Sequence, residues 1–448
     1  MSVKVRNIIL VIILGLGLGL RLYKIDNPIA DWHSWRQADT SAVTRNFVKY
    51  GVDIFTPRYD DFSDVSGNGF FNSNGYRMVE FPIFNIAHYL LYLLVSGFYT
   101  LEQAGRLTSI LSAVVSGGLI YFIVRKHFSE STALLAAAVY LFLPYNIYFT
   151  RVILPDPLMT TLVLAALLSH IHNRRIFTWV FASLAMLVKP TAVFFLLPLL
   201  SDYQIFLAAL IPTLLWRAWE QRFPAGVPAN IWLLNGNHIR FKPSWFRWLF
   251  GERIGDMILG TWGIFPFLQG LLVQGNYFLW WTLGSLLYFI VFATGNIQHD
   301  YYQIPIIPII SILVAIGATK FAQTLAKKIL IAVCLIFMLA FSWYDIKGDY
   351  QINHYDIINA GQATDRLTPP DSVVITPYNG DTAFLYQTNR KGFPYTVLPI
   401  KDMIDRYGAT YYISVNYDTQ TREVMNKYTI IEENPGYVVV RLEEPHRD

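Results

Sequence analysis

The chain has 448 residues, of which 54% are hydrophobic and only 15% are charged, against about 25% in soluble domains. This composition excludes an ordinary soluble protein and predicts an integral membrane protein with some extramembrane mass. The formal net charge of +4 is spread over short basic clusters, so we predict no nucleic-acid partner, and the single cysteine, Cys334, excludes a disulfide within one chain.

The N-terminal region combines two basic residues with an apolar run, which predicts a retained first helix at roughly 7–22 with its basic end in the cytoplasm. A long polar outer loop follows at 23–82. Within this loop, 36–50 has helical spacing and ends at Gly51. The apolar stretch 82–98 is interrupted by polar residues, which is typical of a helix that lies in the membrane interface.

Ten further spanning helices are predicted from apolar runs at 106–124, 131–149, 157–172, 176–200 (two short helices), 203–219, 256–273, 277–294, 303–319 and 328–344. The run 176–200 contains Lys189-Pro190 and must break there, because proline cannot continue a regular helix. Residues 220–255 are predicted to form a second outer loop. Basic residues cluster at the inner ends of the helices, which indicates about 11 spans with the C-terminus outside.

After Tyr344 the sequence is charged and rich in turn residues, which predicts a small soluble α/β domain. Its expected strands are 373–375, 411–415, 428–432 and 437–441, and its expected helices are about 351–367 and 418–426. We therefore divide the chain into a transmembrane domain at 1–345, with a large outer loop at 23–105, and an extracytoplasmic domain at 346–448.

The segment directly after the first helix holds the highest density of polar side chains next to a membrane. Two carboxylates, a histidine, an arginine and a glutamine occur within ten residues, and they are Asp31, His33, Arg36, Gln37 and Asp39. Ionisable groups at the mouth of a membrane helix are costly to place, so they indicate a functional site. The alternative is an interfacial tryptophan belt with snorkelling charges.

Several stretches carry a resemblance to a known family: Arg45-Asn46-Phe47 with Gly51, Glu80-Phe81-Pro82, Glu102-Gln103-Ala104-Gly105-Arg106-Leu107, Leu187-Val188-Lys189-Pro190 and His299-Asp300-Tyr301-Tyr302-Gln303-Ile304-Pro305-Ile306-Ile307-Pro308. Over residues 8–345 the chain resembles the GT-C-fold glycosyltransferases of the bacterial family 39 type, which are related to protein mannosyltransferases and aminoarabinose transferases.

The resemblance implies a mainly α polytopic membrane enzyme of the inner (plasma) membrane with its site on the extracytoplasmic face. Its donor would be a sugar linked to a polyprenyl phosphate held in the lipid bilayer, and its acceptor, a protein, lipid or glycan, is unknown. The transfer is expected to be inverting. No cofactor is expected to be required; a divalent metal is left open, although no residue spacing supports one.

The general base is expected to be an acid of the first outer loop, because the acceptor must lose a proton as it attacks the anomeric carbon. Relatives carry two adjacent acids at the start of the loop helix, whereas the corresponding positions here are Arg36-Gln37. The base is therefore left open between Asp31 and Asp39. Asp39 is preferred, because a helix that begins near Ser34 would hold it beside Arg36.

The leaving phosphate needs cations and oriented donors. The residues expected to bind substrate are His33, Arg36, Gln37, Glu80, Arg151, Lys189, His299, Asp300, Tyr301 and Tyr302. Of these, Lys189, His299 and Arg36 are predicted to line the lipid-phosphate site. In the alternative interpretation, Lys189 pairs with a structural acid such as Asp156.

Two other classes of function compete with an enzyme. A transporter or flippase would need repeats and helices broken at the midplane, and the sequence has no evident internal repeat of that kind. An assembly protein of cell-surface polysaccharide would use the C-terminal domain and leave the loop charges as topology signals.

Overall fold

The computed structural model describes residues 3–443, which are mostly helical with one small sheet. The first half of the chain forms the helices α1 (Val3–Arg21), α2 (Ser34–Tyr50), α3 (Ile83–Val95), α4 (Leu101–His127), α5 (Glu130–Phe142), α6 (Pro144–Phe149), α7 (Asp156–Ile171), α8 (Arg175–Val188), α9 (Ala192–Phe195) and α10 (Tyr203–Glu220). The second half continues with α11 (Trp232–Asn235), α12 (Pro243–Phe246), a π-helical segment (Arg247–Ile258), α13 (Ile264–Val273), α14 (Asn276–Val291), α15 (Ala293–Gln298), α16 (Ile307–Phe321) and α17 (Leu325–Ile346).

The C-terminal part alternates helices and strands in the order α18 (Tyr355–Leu367), β1 (Val373–Ile375), α19 (Thr382–Gln387), β2 (Lys391–Phe393), α20 (Ile400–Tyr407), β3 (Ala409–Ser414), α21 (Thr419–Lys427), β4 (Thr429–Asn434) and β5 (Tyr437–Arg441). The four strands expected from the sequence are confirmed as β1, β3, β4 and β5.

Five helical stretches among the described residues are long and apolar enough to cross a membrane: Val3–Arg21, Leu101–His127, Leu197–Glu220, Asp300–Phe321 and Leu325–Leu367. Six shorter apolar helices of 10–17 residues accompany them. The count of about 11 spans stays a prediction, because length and composition alone do not decide which of the shorter helices cross a bilayer.

The chain forms two compact units, and each is assembled from separate stretches of sequence. The helical unit contains the chain up to Ile25 together with Arg106–Arg217 and Asn230–Tyr350. The mixed unit contains Asp26–Gly105, Ala218–Ala229 and the chain from Gln351 onwards. The division predicted at 345/346 falls close to the end of α17, but the structure groups most of the first outer loop with the C-terminal segment.

The helical unit is packed closely where glycines allow two helix backbones to approach. A Cβ atom added at Gly270 in α13 would lie 1.9 Å from the carbonyl oxygen of Leu313 in α16, and one added at Gly317 would lie 1.9 Å from that of Pro266. Small residues at such crossings increase van der Waals contact between membrane helices. This pair of helices therefore forms a tight internal contact.

The mixed unit contains the five-stranded sheet, in the order β2-β1-β3-β5-β4. Strand β1 is parallel to both β2 and β3, whereas β5 is antiparallel to β3 and β4. One face of the sheet buries apolar side chains of α20 and α21, such as Met403 and Val424, against Ile375, Tyr412 and Val440. Helices α18 and α19 contact each other, and α18 also contacts β3 and β5.

Several predicted elements were wrong in their boundaries. The helix expected at 131–149 is divided into α5 and α6, because Pro144 cannot donate to the preceding turn. The outer loop expected at 220–255 is largely helical and ends in the π-helical segment, which occupies the start of the helix expected at 256–273. Beyond the predicted break at Lys189, which is confirmed, the chain continues mainly as 3₁₀ helix.

Candidate functional site

Helix α2 is unusual because it is polar and yet buried. Twelve of its 17 residues are buried, and eight of these carry polar side chains. The helix follows His33, whose φ of 55° turns the chain sharply, and it ends at Gly51, whose φ of 90° favours glycine. Buried polar groups cost free energy unless they are hydrogen-bonded, so the partners of these side chains define what the helix does.

Asp39 lies in the middle of the buried face of α2 and is only 5% exposed. One carboxylate oxygen forms an ion pair with Arg77 at 2.8 Å, and the other accepts a hydrogen bond from the hydroxyl of Thr382 at 2.7 Å. Thr382 is the first residue of α19. These two contacts fix the orientation of the carboxylate, and neither Arg77 nor Thr382 carries a signal in the sequence that would have pointed to it.

The other predicted residues of the first loop form two pairs. The side-chain amide of Gln37 donates to a carboxylate oxygen of Asp31 at 2.7 Å, and Arg36 forms an ion pair with Glu80. Both Asp31 and Gln37 are buried. The His33 ring lies 4.8 Å from the ring of its neighbour Trp32. The mixed unit therefore contains six of the predicted residues. Five of them lie in the segment 31–39, and the sixth, Glu80, pairs with Arg36 of that segment.

A second buried carboxylate, Asp61, belongs to the same charged cluster. Burial raises the pKa of the Asp61 carboxyl to about 6, against a backbone hydrogen bond from Ser63 that lowers it, and the charge of Asp39 acts in the raising direction. The guanidinium of Arg77 lies 5.0 Å from the ring centre of Tyr59, and burial raises the pKa of the Tyr59 hydroxyl well above its usual range. The only sequence signal for this cluster is the adjacent pair Asp60-Asp61.

Further contacts connect α2 and the start of α4 to α19. Arg45 forms an ion pair with Asp60, donates to the carbonyl of Tyr386 at 2.9 Å and lies 4.0 Å from the centre of its ring. The hydroxyl of Tyr386 donates to Glu102 at 2.6 Å. The C-terminal segment thus takes part directly in holding the helix that carries Asp39.

The helical unit contains the remaining predicted residues, and four of them, Lys189, His299, Tyr301 and Tyr302, lie together. The ammonium of Lys189 lies 2.7 Å from a carboxylate oxygen of Asp156 and 4.8 Å from the ring centre of Tyr302. The ring of His299 lies 5.4 Å from that of Tyr301 and 5.2 Å from that of Tyr302. The Lys189–Asp156 pair is the arrangement that the alternative interpretation of the sequence proposed.

Asp300 and Arg151 have partners that the sequence did not indicate. Asp300 forms an ion pair with Arg253 of the π-helical segment at 2.8 Å. Arg151 is fully buried, donates to the carbonyl of Lys24 at 2.5 Å and lies 4.8 Å from the ring centre of Tyr350. Arg151 therefore holds the turn after α1, and its role in substrate binding stays a prediction.

No group of three or more His, Cys, Asp or Glu side chains within residues 3–443 is arranged to hold a metal ion. The two clusters contain carboxylates, guanidinium groups and an ammonium. A carboxylate with a fixed orientation can accept a proton, and the cations can stabilise an anionic group.

Comparisons with known proteins identify the architecture. Residues 85–225 match a family model described as dolichyl-phosphate-mannose-protein mannosyltransferase. A sequence search of curated proteins finds no match. The structure is similar to that of ArnT from Cupriavidus metallidurans bound to undecaprenyl phosphate, with a TM-score of 0.68 and 14% identity over 96% of this chain and 97% of that chain.

A second similarity is to the oligosaccharyltransferase AglB of the archaeon Archaeoglobus fulgidus, in complex with an inhibitory peptide and a dolichol-phosphate. Its TM-score is 0.55 and its identity is 10%, over 91% of this chain and 69% of that chain. The apo oligosaccharyltransferase from the same organism matches with a TM-score of 0.58 and 11% identity, again over 91% of this chain and 69% of that chain.

The chain has the GT-C fold. The resemblance noted in the sequence is thereby confirmed for the fold, and the many apolar helices make the chain a multi-pass membrane protein. The chain is mainly helical with a small C-terminal sheet, as expected from the sequence.

Proposed function

We propose that the chain is a glycosyltransferase that moves a sugar from a polyprenyl-phosphate carrier to an acceptor hydroxyl or amine on the extracytoplasmic face of the plasma membrane. The observation that carries the proposal is the buried carboxylate of Asp39, held by Arg77 and Thr382 in a chain with the GT-C fold. The lipid phosphates in the similar ArnT and AglB structures support a donor of this class.

In the proposed reaction, the acceptor oxygen or nitrogen attacks the anomeric carbon while Asp39 takes its proton. The bond between the anomeric carbon and the phosphate oxygen breaks, and polyprenyl phosphate leaves with the bonding electron pair. Attack opposite to the leaving group inverts the anomeric centre. The ion pair with Arg77 and the hydrogen bond from Thr382 keep the Asp39 carboxylate oriented for this step.

The departing phosphate needs positive charge and hydrogen-bond donors. The proposed sources are Lys189, His299 and Arg36, as expected from the sequence, together with Arg253, which pairs with Asp300. In the structure, Lys189 and Arg36 are each paired with a carboxylate, so binding of the donor phosphate would exchange one anion for another. The assignment of individual phosphate contacts to these residues stays part of the proposal.

The test is transfer of a radiolabelled sugar from a panel of polyprenyl-phosphate sugars by the purified protein in lipid, compared with Asp39→Asn and Asp31→Asn. Asparagine preserves the shape of the side chain and removes the base, so Asp39→Asn should lower the rate by about 10²–10⁴-fold, and Asp31→Asn should lower it less. Activity should persist in excess EDTA, because we propose no metal cofactor.

Two results would contradict the proposal. Transfer from a soluble nucleotide sugar but from no lipid-linked donor would exclude the donor class. Near-normal turnover in both aspartate variants would exclude both proposed candidates for the general base.

A further inference from the structure

The sheet of the mixed unit contains a point at which its connections change direction. The chain leaves β1 for β2 on one side and then returns past β1 to β3 on the other, because the strand order is β2-β1-β3 and all three strands are parallel. In open parallel sheets, ligands bind in the crevice outside the carboxyl ends of the strands at such a point. Here the crevice lies outside Ile375 and Ser414, the last residues of β1 and β3.

A cavity of about 410 Å³ is present at this position. This volume lies in the range of about 300–1,000 Å³ that is typical of small-molecule sites. Its polar lining comes from the segment after β1, the segment after β3 and the first turn of α18, through Tyr378, Asn379, Asp381, Asn416, His354 and Asp356. Ile357 and Val415 add apolar surface.

The lining combines groups that recognise hydroxyls. Carboxylates accept hydrogen bonds, amides both donate and accept, and the rings of Tyr378 and His354, with centres 5.8 Å apart, offer apolar surface. Among residues 3–443, neither lysine nor arginine lines the cavity, whereas two carboxylates do. Asp356 already complements the positive end of α18, so the cavity disfavours phosphate or carboxylate ligands and favours an uncharged polyhydroxylated one.

The cavity adjoins the proposed base through consecutive residues. Asp381 lines the cavity and accepts a hydrogen bond from the backbone N–H of Ala383 at 2.7 Å, which places it as the N-cap of α19. The next residue, Thr382, donates to Asp39 at 2.7 Å. Burial raises the pKa of the Asp381 carboxyl to about 6, and the nearby charge of Asp39 contributes in the same direction.

From this placement we propose that the cavity binds an uncharged sugar unit of the acceptor, next to Asp39. That the bound sugar belongs to the acceptor rests on the proposed function. The binding of a sugar to the cavity is independent of that function. In this arrangement Thr382 orients the base, Asp39, and is also the first residue of α19, whose N-cap Asp381 contacts the sugar.

The test measures sugar binding directly, without any donor. Saturation-transfer NMR on the full-length chain in lipid nanodiscs would use a panel of methyl hexosides and N-acetylhexosaminides, with glucose 1-phosphate and glucuronate as charged comparators. At least one neutral sugar should bind saturably, and more tightly than either charged compound. Asp381→Asn, which preserves the helix cap, should weaken binding about tenfold, because it removes one hydrogen bond to a charged group. Tyr378→Ala should also weaken binding about tenfold, because it removes the apolar surface of the ring.

The matched control is Asp371→Asn, because Asp371 is exposed and lies before the opposite end of β1. It should bind the sugar as the native chain does. Asp39→Asn should also retain binding while it loses transfer, so failure of the proposed function and failure of this inference are read from different assays. Absence of saturable binding by every neutral sugar, preference for a charged compound, or equal affinity in the native, Asp381→Asn and Tyr378→Ala chains would each overturn the inference.

Discussion

Asp61 shows how a buried acid makes the stability of the mixed unit depend on pH. Its pKa of about 6 in the folded protein is above the ordinary value of 3.8, because burial disfavours the charged form. The folded state therefore keeps a proton that the unfolded state releases between these two values. The contribution of Asp61 to the free energy of unfolding is fully present below about pH 4. It is lost as the pH rises through about 6, and the total loss is about 3 kcal/mol.

We predict that Asp61→Asn becomes more stable than the native chain as the pH rises. The difference in apparent Tm should be small near about pH 4.5 and should reach its maximum above about pH 7, because asparagine never ionises. Asp64→Asn is the control of opposite sign. Burial raises the pKa of the Asp64 carboxyl, but hydrogen bonds from Ser66, Gly69 and Gly67 lower it by more, so the net pKa is lowered. Asp64→Asn should therefore be less stable than the native chain above about pH 5. A pH-independent Tm difference for Asp61→Asn would contradict the assignment.

The pair of Lys189 and Asp156 leads to a prediction about a buried charge. The Asp156 side chain is 1% exposed and that of Lys189 is 12% exposed. Lys189→Met should lower stability by about 3–5 kcal/mol, because it leaves the carboxylate buried without this cation. The double variant Lys189→Met with Asp156→Asn should recover most of the loss, as measured by thermal unfolding in a double-mutant cycle.

The control for this cycle is Arg175→Met, because Arg175 forms its ion pair with Asp202 at the surface with 62% of its side chain exposed. Exposed pairs contribute about 0–1 kcal/mol, so the control should unfold near the native temperature. If Lys189→Met instead left the Tm unchanged and weakened donor binding, the phosphate role predicted from the sequence would be favoured over the structural one.

At the scale of elements, the contact between α13 and α16 depends on the absence of two side chains. Gly317→Ala would place a methyl group 1.9 Å from the carbonyl oxygen of Pro266, so the helices must separate. We predict a loss of apparent Tm and of folded yield in detergent for Gly317→Ala. Gly118→Ala in α4 is the matched control, since its added Cβ meets nothing within 4 Å. Equal behaviour of the two variants would contradict the close packing.

Elements with a long local pattern were predictable from the sequence. Helix α2 was expected because its spacing and Gly51 are local signals, and the break at Lys189 was expected because proline acts on its own turn. Strand β2 was missed because it has three residues, one of them glycine, and is defined by its pairing with β1. Helix α19 was missed because six residues are too few for a helical period.

The candidate site was predictable only in part for the same reason. The segment of α2 was found from its own charges, but its partners Arg77 and Thr382 are 38 and 343 residues away from Asp39 along the chain. Such contacts leave no periodicity or motif. The pairing of Lys189 with Asp156 could be stated only as an alternative, because the sequence does not show which of two nearby anions a lysine meets.

At the scale of the whole molecule, the mixed unit is completed by residues from both ends of the chain. Thr382 contacts Asp39, and Arg45 contacts Tyr386, across more than 340 residues in each case. The first loop can therefore reach its final structure only after the C-terminal segment has been synthesised. Both parts must also lie on the same side of the membrane, since the contacts include backbone carbonyls and buried side chains.

This requirement leads to a prediction about topology that single-cysteine labelling can check. The chain has one cysteine, Cys334, which is buried, so a Cys334→Ser background accepts new cysteines cleanly. Asn68→Cys in the first loop and Asn426→Cys in α21 are exposed positions of the mixed unit. Both should react with a membrane-impermeant maleimide in intact spheroplasts, because the basic inner helix ends predict an outer location for both segments.

Lys126→Cys at the end of α4 is the control, since it lies in a basic cluster and should react only after permeabilisation. If neither Asn68→Cys nor Asn426→Cys reacted until the membrane was opened, the predicted orientation would be wrong and the mixed unit would remain intact. If one reacted outside and the other only inside, the contacts of α19 with α2 would be contradicted, because a single folded unit cannot expose its surface on both sides of a bilayer.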